Sequence, residues 1–282
     1  MRKTAPGNFS DFRDWGFSKG RYAPPMSDIL QRRHQAANVP QTSFWPLRLL
    51  PALPWLILAA AMRVIEFGGG PASVPALIVA AIAVLVAFLV TAQRCIEASG
   101  GRSGLGELSL TDQLKLALSV LWRIALLLIG TSLALALTPY AKLAPHLMAG
   151  LDGMAFDQFT NLGRFWSGVI AVLVLLMIVG AEQKNGRVAF FPAMVEFARR
   201  GLWLGTAVLV LGLVSIMLGF GQEIVRGAIW NFWQTSAASQ FIKNLIYFVF
   251  IFSFAMLRLW ITLSIVTFGL KMSYVHGGGE GK

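Results

Sequence analysis

Carboxylates are the scarcest common chemistry in this 282-residue chain: 13 Asp and Glu stand against 24 Lys and Arg. Cysteine is scarcer still. The single thiol, Cys95, cannot close an internal disulfide, so no oxidised framework holds the fold. The three histidines, His34, His146 and His276, lie far apart, and no zinc spacing such as H-E-x-x-H occurs. Gly100-Gly101 and Gly104-Leu105-Gly106 form a glycine-rich stretch, but it follows an apolar run rather than a strand. No Lys-Ser/Thr closes it into a phosphate loop, and it reads as a flexible linker. No set of nucleophile, base and metal ligand converges, which argues against an enzyme, and no cofactor is expected.

Charge of either sign is also thin. Charged residues make up 13% of the chain, about half of the roughly 25% usual for soluble domains. Hydrophobic residues make up 56%, and the mean hydropathy is +0.65. Leu77–Val90 and Gly168–Val179 carry no charge at all, and each lies inside a longer apolar stretch. About 18 or more such residues read as a membrane span. The expectation is an all-α, polytopic transmembrane bundle of about six spans, with amphipathic interfacial helices in its loops.

The formal charge of +11 would suggest nucleic acid in a soluble protein. Here topology accounts for it, because Lys and Arg are retained on the cytoplasmic side. No soluble basic domain is present to act as a reader. Residues 1–46 are polar and basic without an early apolar core, so they are no cleavable signal peptide. They read as a cytoplasmic basic and aromatic tail, with a short helix near Ser27–Ala37.

Residues 47–270 hold the transmembrane domain, and 271–282 form a cytoplasmic C-terminal tail. The first span, Leu49–Ile65, is interrupted by Pro51 and Pro54, and a short or re-entrant segment competes with a full crossing. The others are expected near Ala72–Thr91, Leu116–Thr138, Phe165–Ala181 and Gly201–Gly219, and within Phe241–Leu270. With six spans, about 16 Lys and Arg fall inside and about 5 outside. Arg48, Arg123 and Arg258 are embedded. Without the first crossing the split falls to roughly 13 against 9. Localisation in a bacterial inner membrane follows from this asymmetry and the absence of disulfide chemistry.

Ser109-Leu110-Thr111-Asp112 has a capping-box spacing, and Pro192 suits a first helical turn. Both cytoplasmic loops therefore carry an amphipathic lead-in helix. On the outer side, Asp152–Trp166 and Gln222–Trp233 are expected at the headgroups, with Phe156, Phe159, Trp166, Trp230 and Trp233 as an aromatic belt. Ile82–Val86 recurs as Ile170–Val174, and Ala117–Trp122 parallels Ala198–Trp203. This suggests a parallel repeat of 72–138 and 165–220.

Arg258 is the most informative residue, because a charge at mid-span costs about 2.5–3.5 kcal/mol. No Asp or Glu falls inside any expected span. Arg258 is expected to snorkel toward the cytoplasmic headgroups. Failing that, it would meet a lipid phosphate, backbone carbonyls or an acid of another subunit. Arg123 reads as a snorkelling residue. Asp152 and Asp157 read as the wet face of an outer loop. Gly201, Gly205, Gly212 and Gly219 form a small-residue stripe for helix packing, and Ala76, Ala80, Ala83 and Ala87 form another. In the tail, Phe9, Phe12, Trp15, Phe17 and Tyr22 mix with basic residues, and Arg32 and Arg33 follow. Trp15, Arg32, Arg33, Arg123 and Arg258 are the candidate lipid or partner contacts.

These features favour a non-catalytic integral membrane subunit: a scaffold, anchor or assembly component of a larger complex. Its partners would be membrane lipids and other membrane protein subunits, not nucleic acid. The alternative is a transporter or channel for a neutral, amphipathic or anionic solute. The absence of intramembrane acids counts against cation coupling. Reporter fusions at the two termini should both read as cytoplasmic; reporters on opposite sides would overturn the six-span reading.

Overall fold

A computed structural model describes residues 50–67, 70–98, 108–148, 150–158, 160–183 and 188–276. Eight α-helices and no strand occur among them. They are α1 (Leu53–Phe67), α2 (Ser73–Ala98), α3 (Leu110–Ala136), α4 (Ala144–Met148), α5 (Asn161–Gln183), α6 (Phe190–Arg199), α7 (Gly201–Thr235) and α8 (Gln240–His276). Three 3-10 turns accompany them: Leu50–Ala52 leads into α1, Ala141–Leu143 lies between α3 and α4, and Asp152–Met154 lies between α4 and α5.

Five helices, α2, α3, α5, α7 and α8, are long and apolar enough to cross a membrane. The protein is an all-α helical membrane bundle. α1 spans 15 residues, or about 22 Å, which falls short of a hydrocarbon core of about 30 Å. Its brevity agrees with the competing reading of a short first segment.

The centre is built from α2 and α5. Buried residues make up 61% and 72% of their most apolar stretches, against 33% in α3 and α7, which sit outside them. The two matching runs supply that centre: Ala83–Val86 and Ile170–Val174 are all buried. The Ala76, Ala80, Ala83 and Ala87 face is buried as well. α1 packs along α2, and Gly70, at φ +83°, makes the turn between them. α8 closes the bundle by packing on α1, α2, α5 and α7.

Helix starts follow the sequence closely. Ser109 caps α3: its Oγ accepts from the Asp112 amide at 3.2 Å and donates to Asp112 Oδ2 at 2.8 Å. The expected lead-in is thus fused to the span as one helix. The second lead-in stays separate. α6 carries Pro192 in its first turn and ends at Arg200, after which α7 begins. Arg200 pairs with Glu196 and donates to Ser273 Oγ at 3.3 Å, tying this junction to the end of α8. This is the near end of the bundle. The far end holds the close of α1, the connection from 137 to 160 and the turn between α7 and α8.

Two expectations change. Gln222–Trp233 is no separate interfacial segment, because α7 continues unbroken to Thr235. The glycine stripe also divides. A Cβ on Gly212 would collide with the Phe165 ring, and one on Gly219 with the Arg164 guanidinium, so both receive side chains of α5. Gly201 and Gly205 have open space beside them. The close approach at the near end falls instead to Gly269 of α8, where a Cβ would lie 2.6 Å from Ala207 Cβ. Gly212→Ala and Gly219→Ala should each destabilise the purified protein by about 1–3 kcal/mol through overpacking. Gly201→Ala and Gly205→Ala should be neutral or stabilising. Thermal unfolding in detergent checks both.

Candidate functional site

The connection between α3 and α5 decides the chemistry of the interior. Its sequence, Leu151 to Phe156, is apolar enough to prefer burial to water, and Leu151, Met154, Ala155 and Phe156 are buried in the core. Folding inward takes backbone with it, and that backbone must find partners. Thr262 Oγ1 of α8 donates to Met154 O at 3.5 Å, and Trp166 Nε1 donates to Leu147 O at 3.0 Å. Gly153 allows the approach, since a Cβ there would overlap the Ser167 side chain.

This inward fold carries Asp157 to Arg258. Arg258 Nη2 donates to Asp157 Oδ1 at 2.8 Å, and the two side chains are 3% and 4% exposed. Arg164 of α5 approaches from the other side. Its Nε lies 3.5 Å from Oδ1 but out of line for a hydrogen bond, and its Nη2 donates to Oδ2 at 3.5 Å. Gln222 of α7 accepts from Arg258 at 3.5 Å. The cluster therefore joins α5, α7, α8 and the α3–α5 connection through one carboxylate.

The expectation for Arg258 is corrected here. It does not snorkel to the cytoplasmic headgroups and needs no acid from another subunit, because Asp157 answers it within the chain. At 3% exposure it is no lipid-facing contact in this fold. The wet-face reading of Asp157 is overturned with it. Counting acids only inside spans missed the pair, since the acid comes from a connection. The signal available is the apolar character of Leu151-Asp152-Gly153-Met154-Ala155-Phe156, which amphipathic pattern alone assigns to an interfacial face.

The aromatic belt is corrected in part. Phe156 is buried beneath the Arg63 guanidinium, 5.3 Å from its ring centroid, and Trp166 is half-buried. Trp230 is exposed, while Trp233 packs edge-on against Tyr247 at 6.3 Å. Phe159 lies outside the described residues. Arg123 reaches back one turn, donating to Ser119 O at 2.7 Å and Ser119 Oγ at 2.5 Å, toward the start of α3. Trp15, Arg32, Arg33, Arg48 and His34 lie outside the described residues, as does the short helix expected near Ser27–Ala37.

Beside the ion cluster is a half-open cavity of about 40 Å³. Its polar lining is Arg63, Asp157, Gln222, Arg226 and Tyr247, and Phe250 and Phe254 complete the wall. Arg63 pairs with Glu66 at 2.6 Å and Arg226 with Glu223 at 3.0 Å. Among the described residues, no group of three or more His, Cys, Asp or Glu is placed to hold a metal ion. Compared with known proteins, the chain matches no family model, no curated protein and no solved structure.

Removing one member of a buried ion pair strands the other charge, which costs about 3–5 kcal/mol. Asp157→Asn should therefore destabilise the protein on that scale. Glu223→Gln, at a side chain 55% exposed, should change stability by less than about 1 kcal/mol. Unfolding midpoints of the two variants, compared in one detergent, give the check.

Proposed function

We propose that this chain is a non-catalytic integral membrane subunit, acting as scaffold, anchor or assembly component of a larger complex. In this reading it sits in a bacterial inner membrane with both termini cytoplasmic, which requires α1, short as it is, to make a sixth crossing beside the five long helices. One observation carries the proposal. α7 and α8 continue as helix far beyond what a bilayer needs, and they keep apolar side chains pointing outward as they do so.

α7 has 35 residues and α8 has 37, so they are about 52 and 55 Å long. About 20 residues suffice for a crossing. Arg199, Arg200 and Lys271 mark the headgroup level at the near end. Counting from there, α7 has crossed by about Phe220, and α8, read backward, by about Ile251. Polar residues then begin: Gln222, Glu223 and Arg226 on α7, Asn244 and Lys243 on α8. Yet Ile224, Trp230 and Phe241 in this extension are 75%, 63% and 75% exposed, and Ile242 and Leu245 are exposed too. Tilt can absorb some excess length, at a modest cost. An antiparallel pair projecting about 20 Å with bare aromatic and aliphatic side chains is matched better by another membrane subunit, which would cover them.

The half-open polar cavity favours a second reading, a transporter or channel for a neutral, amphipathic or anionic solute. The two differ in a simple way: a transporter reconstituted alone would make vesicles leak its solute, whereas a subunit would leave them tight.

Native mass spectrometry of the complex extracted in gentle detergent tests the proposal. The expected result is the chain plus a fixed protein partner in constant stoichiometry. The partner should be lost in a Trp230→Ser, Phe241→Ser double variant that remains folded. A chain that emerges alone or with lipid only would contradict the subunit reading.

A further inference from the structure

The cavity beside the ion cluster has more positive than negative charge facing it. Arg63 from α1 and Arg226 from α7 line it, against Asp157 from the α3–α5 connection. Asp157 offers an incoming ligand little negative field, because Arg258 and Arg164 already stand 2.8 and 3.5 Å from its carboxylate. Glu66 and Glu223, the partners of Arg63 and Arg226, are not among the lining residues. Gln222 and Tyr247 add neutral polar groups to the wall. Half-buried arginines beside apolar walls act in a lower dielectric than water, which strengthens their pull on an anion.

Size narrows the ligand. A single water needs about 10–15 Å³ measured in the same way, so 40 Å³ holds roughly three water-sized groups. That matches the oxygens of one phosphate better than a larger solute. Guanidinium geometry suits phosphate oxygens in particular. The other wall is aromatic, with Phe250, Phe254 and the Tyr247 ring.

We propose that this cavity binds a phosphate group, with Arg63 and Arg226 as its cationic contacts and Gln222 and Tyr247 as its polar ones. The phosphate is either that of an anionic lipid headgroup or a free ion. The site shares the α7–α8 extension, but its lining residues are other than the exposed Ile224, Trp230, Phe241, Ile242 and Leu245.

The test uses the purified full chain in neutral detergent at fixed ionic strength. Its unfolding midpoint is followed against dihexanoyl phosphatidylglycerol, dihexanoyl phosphatidylcholine and sodium phosphate. A ligand bound only by the folded state raises the midpoint with saturation. A saturable rise with phosphatidylglycerol alone identifies the headgroup as source, and a rise with inorganic phosphate alone identifies a free anion; either supports the site. Arg226→Gln should shift half-saturation about tenfold or more, as loss of a charged contact does. Arg63→Gln should do the same. Should Arg63→Gln fail to fold, Arg226, which is 35% exposed, still decides the matter. Lys142→Gln, an exposed charge at the same end, should leave half-saturation unchanged. Three outcomes overturn the proposal: no saturable effect of either anion, an equal effect of phosphatidylcholine, or an Arg226→Gln response indistinguishable from that of Lys142→Gln.

Discussion

A guanidinium in the middle of an apolar helix has to be answered by charge, and in this protein one carboxylate answers it. Asp157 lies between Arg258 and Arg164, and the rest of the interior is arranged so that this contact can form. An isolated charge at bilayer depth is costly on any scale, and burying two ions to cancel one another recovers that cost only with good geometry and further hydrogen bonds. Gln222 supplies one such bond to Arg258. The cluster is better understood as a registry device than as a source of stability: it accepts one rotation of α8, one depth of the α3–α5 connection and one face of α7. A helix turned by one residue would leave at least one arginine in hydrocarbon without its partner.

From that constraint the architecture follows. To bring a carboxylate inward, the connection must dive into the bundle, and Leu151, Met154, Ala155 and Phe156 make the dive favourable by burying apolar surface. Gly153 and Gly150 let the backbone lie against Ser167 and Trp166. Gly219 leaves room for the Arg164 side chain to lie across α7 on its way to Asp157. Arg63 then rests over Phe156, so the same buried connection also positions the short helix α1. A polar cavity remains where these elements fail to close completely, with Arg63, Arg226 and Asp157 among its lining groups.

Much of the fold was legible in the sequence because lipid imposes a simple rule: long apolar runs must become helices. The five long helices, the Ser109 cap and the start at Pro192 all follow from local pattern. The glycine stripe was legible only in part. Spacing puts four glycines near one face, but only the packing of α5 decides that Gly212 and Gly219 are filled while Gly201 and Gly205 are open. Gly269 escaped notice because its neighbour, Ala207, lies on another helix. The ion pair was illegible for the same reason. Asp157 and Arg258 are 101 residues apart, and a one-dimensional reading assigned the acid to the surface because it lies outside the spans. Amphipathic pattern cannot distinguish a connection lying on the membrane surface from one folded into the bundle. Nor could composition foresee that α7 continues past its span as one helix to Thr235, where the pattern predicts a separate amphipathic segment at the headgroups.

The seat of the α3–α5 connection is where this account can be tested most directly. Ala155 is 1% exposed and lies two residues from Asp157. A cysteine placed there, with Cys95 replaced by alanine, should resist a water-soluble maleimide in sealed membranes approached from either side. It should become reactive when Asp157 is also changed to asparagine, because the charge that holds the connection in place is then gone. Labelling of the cysteine at 155 as fast as one at exposed Lys142, with Asp157 intact, would contradict the account.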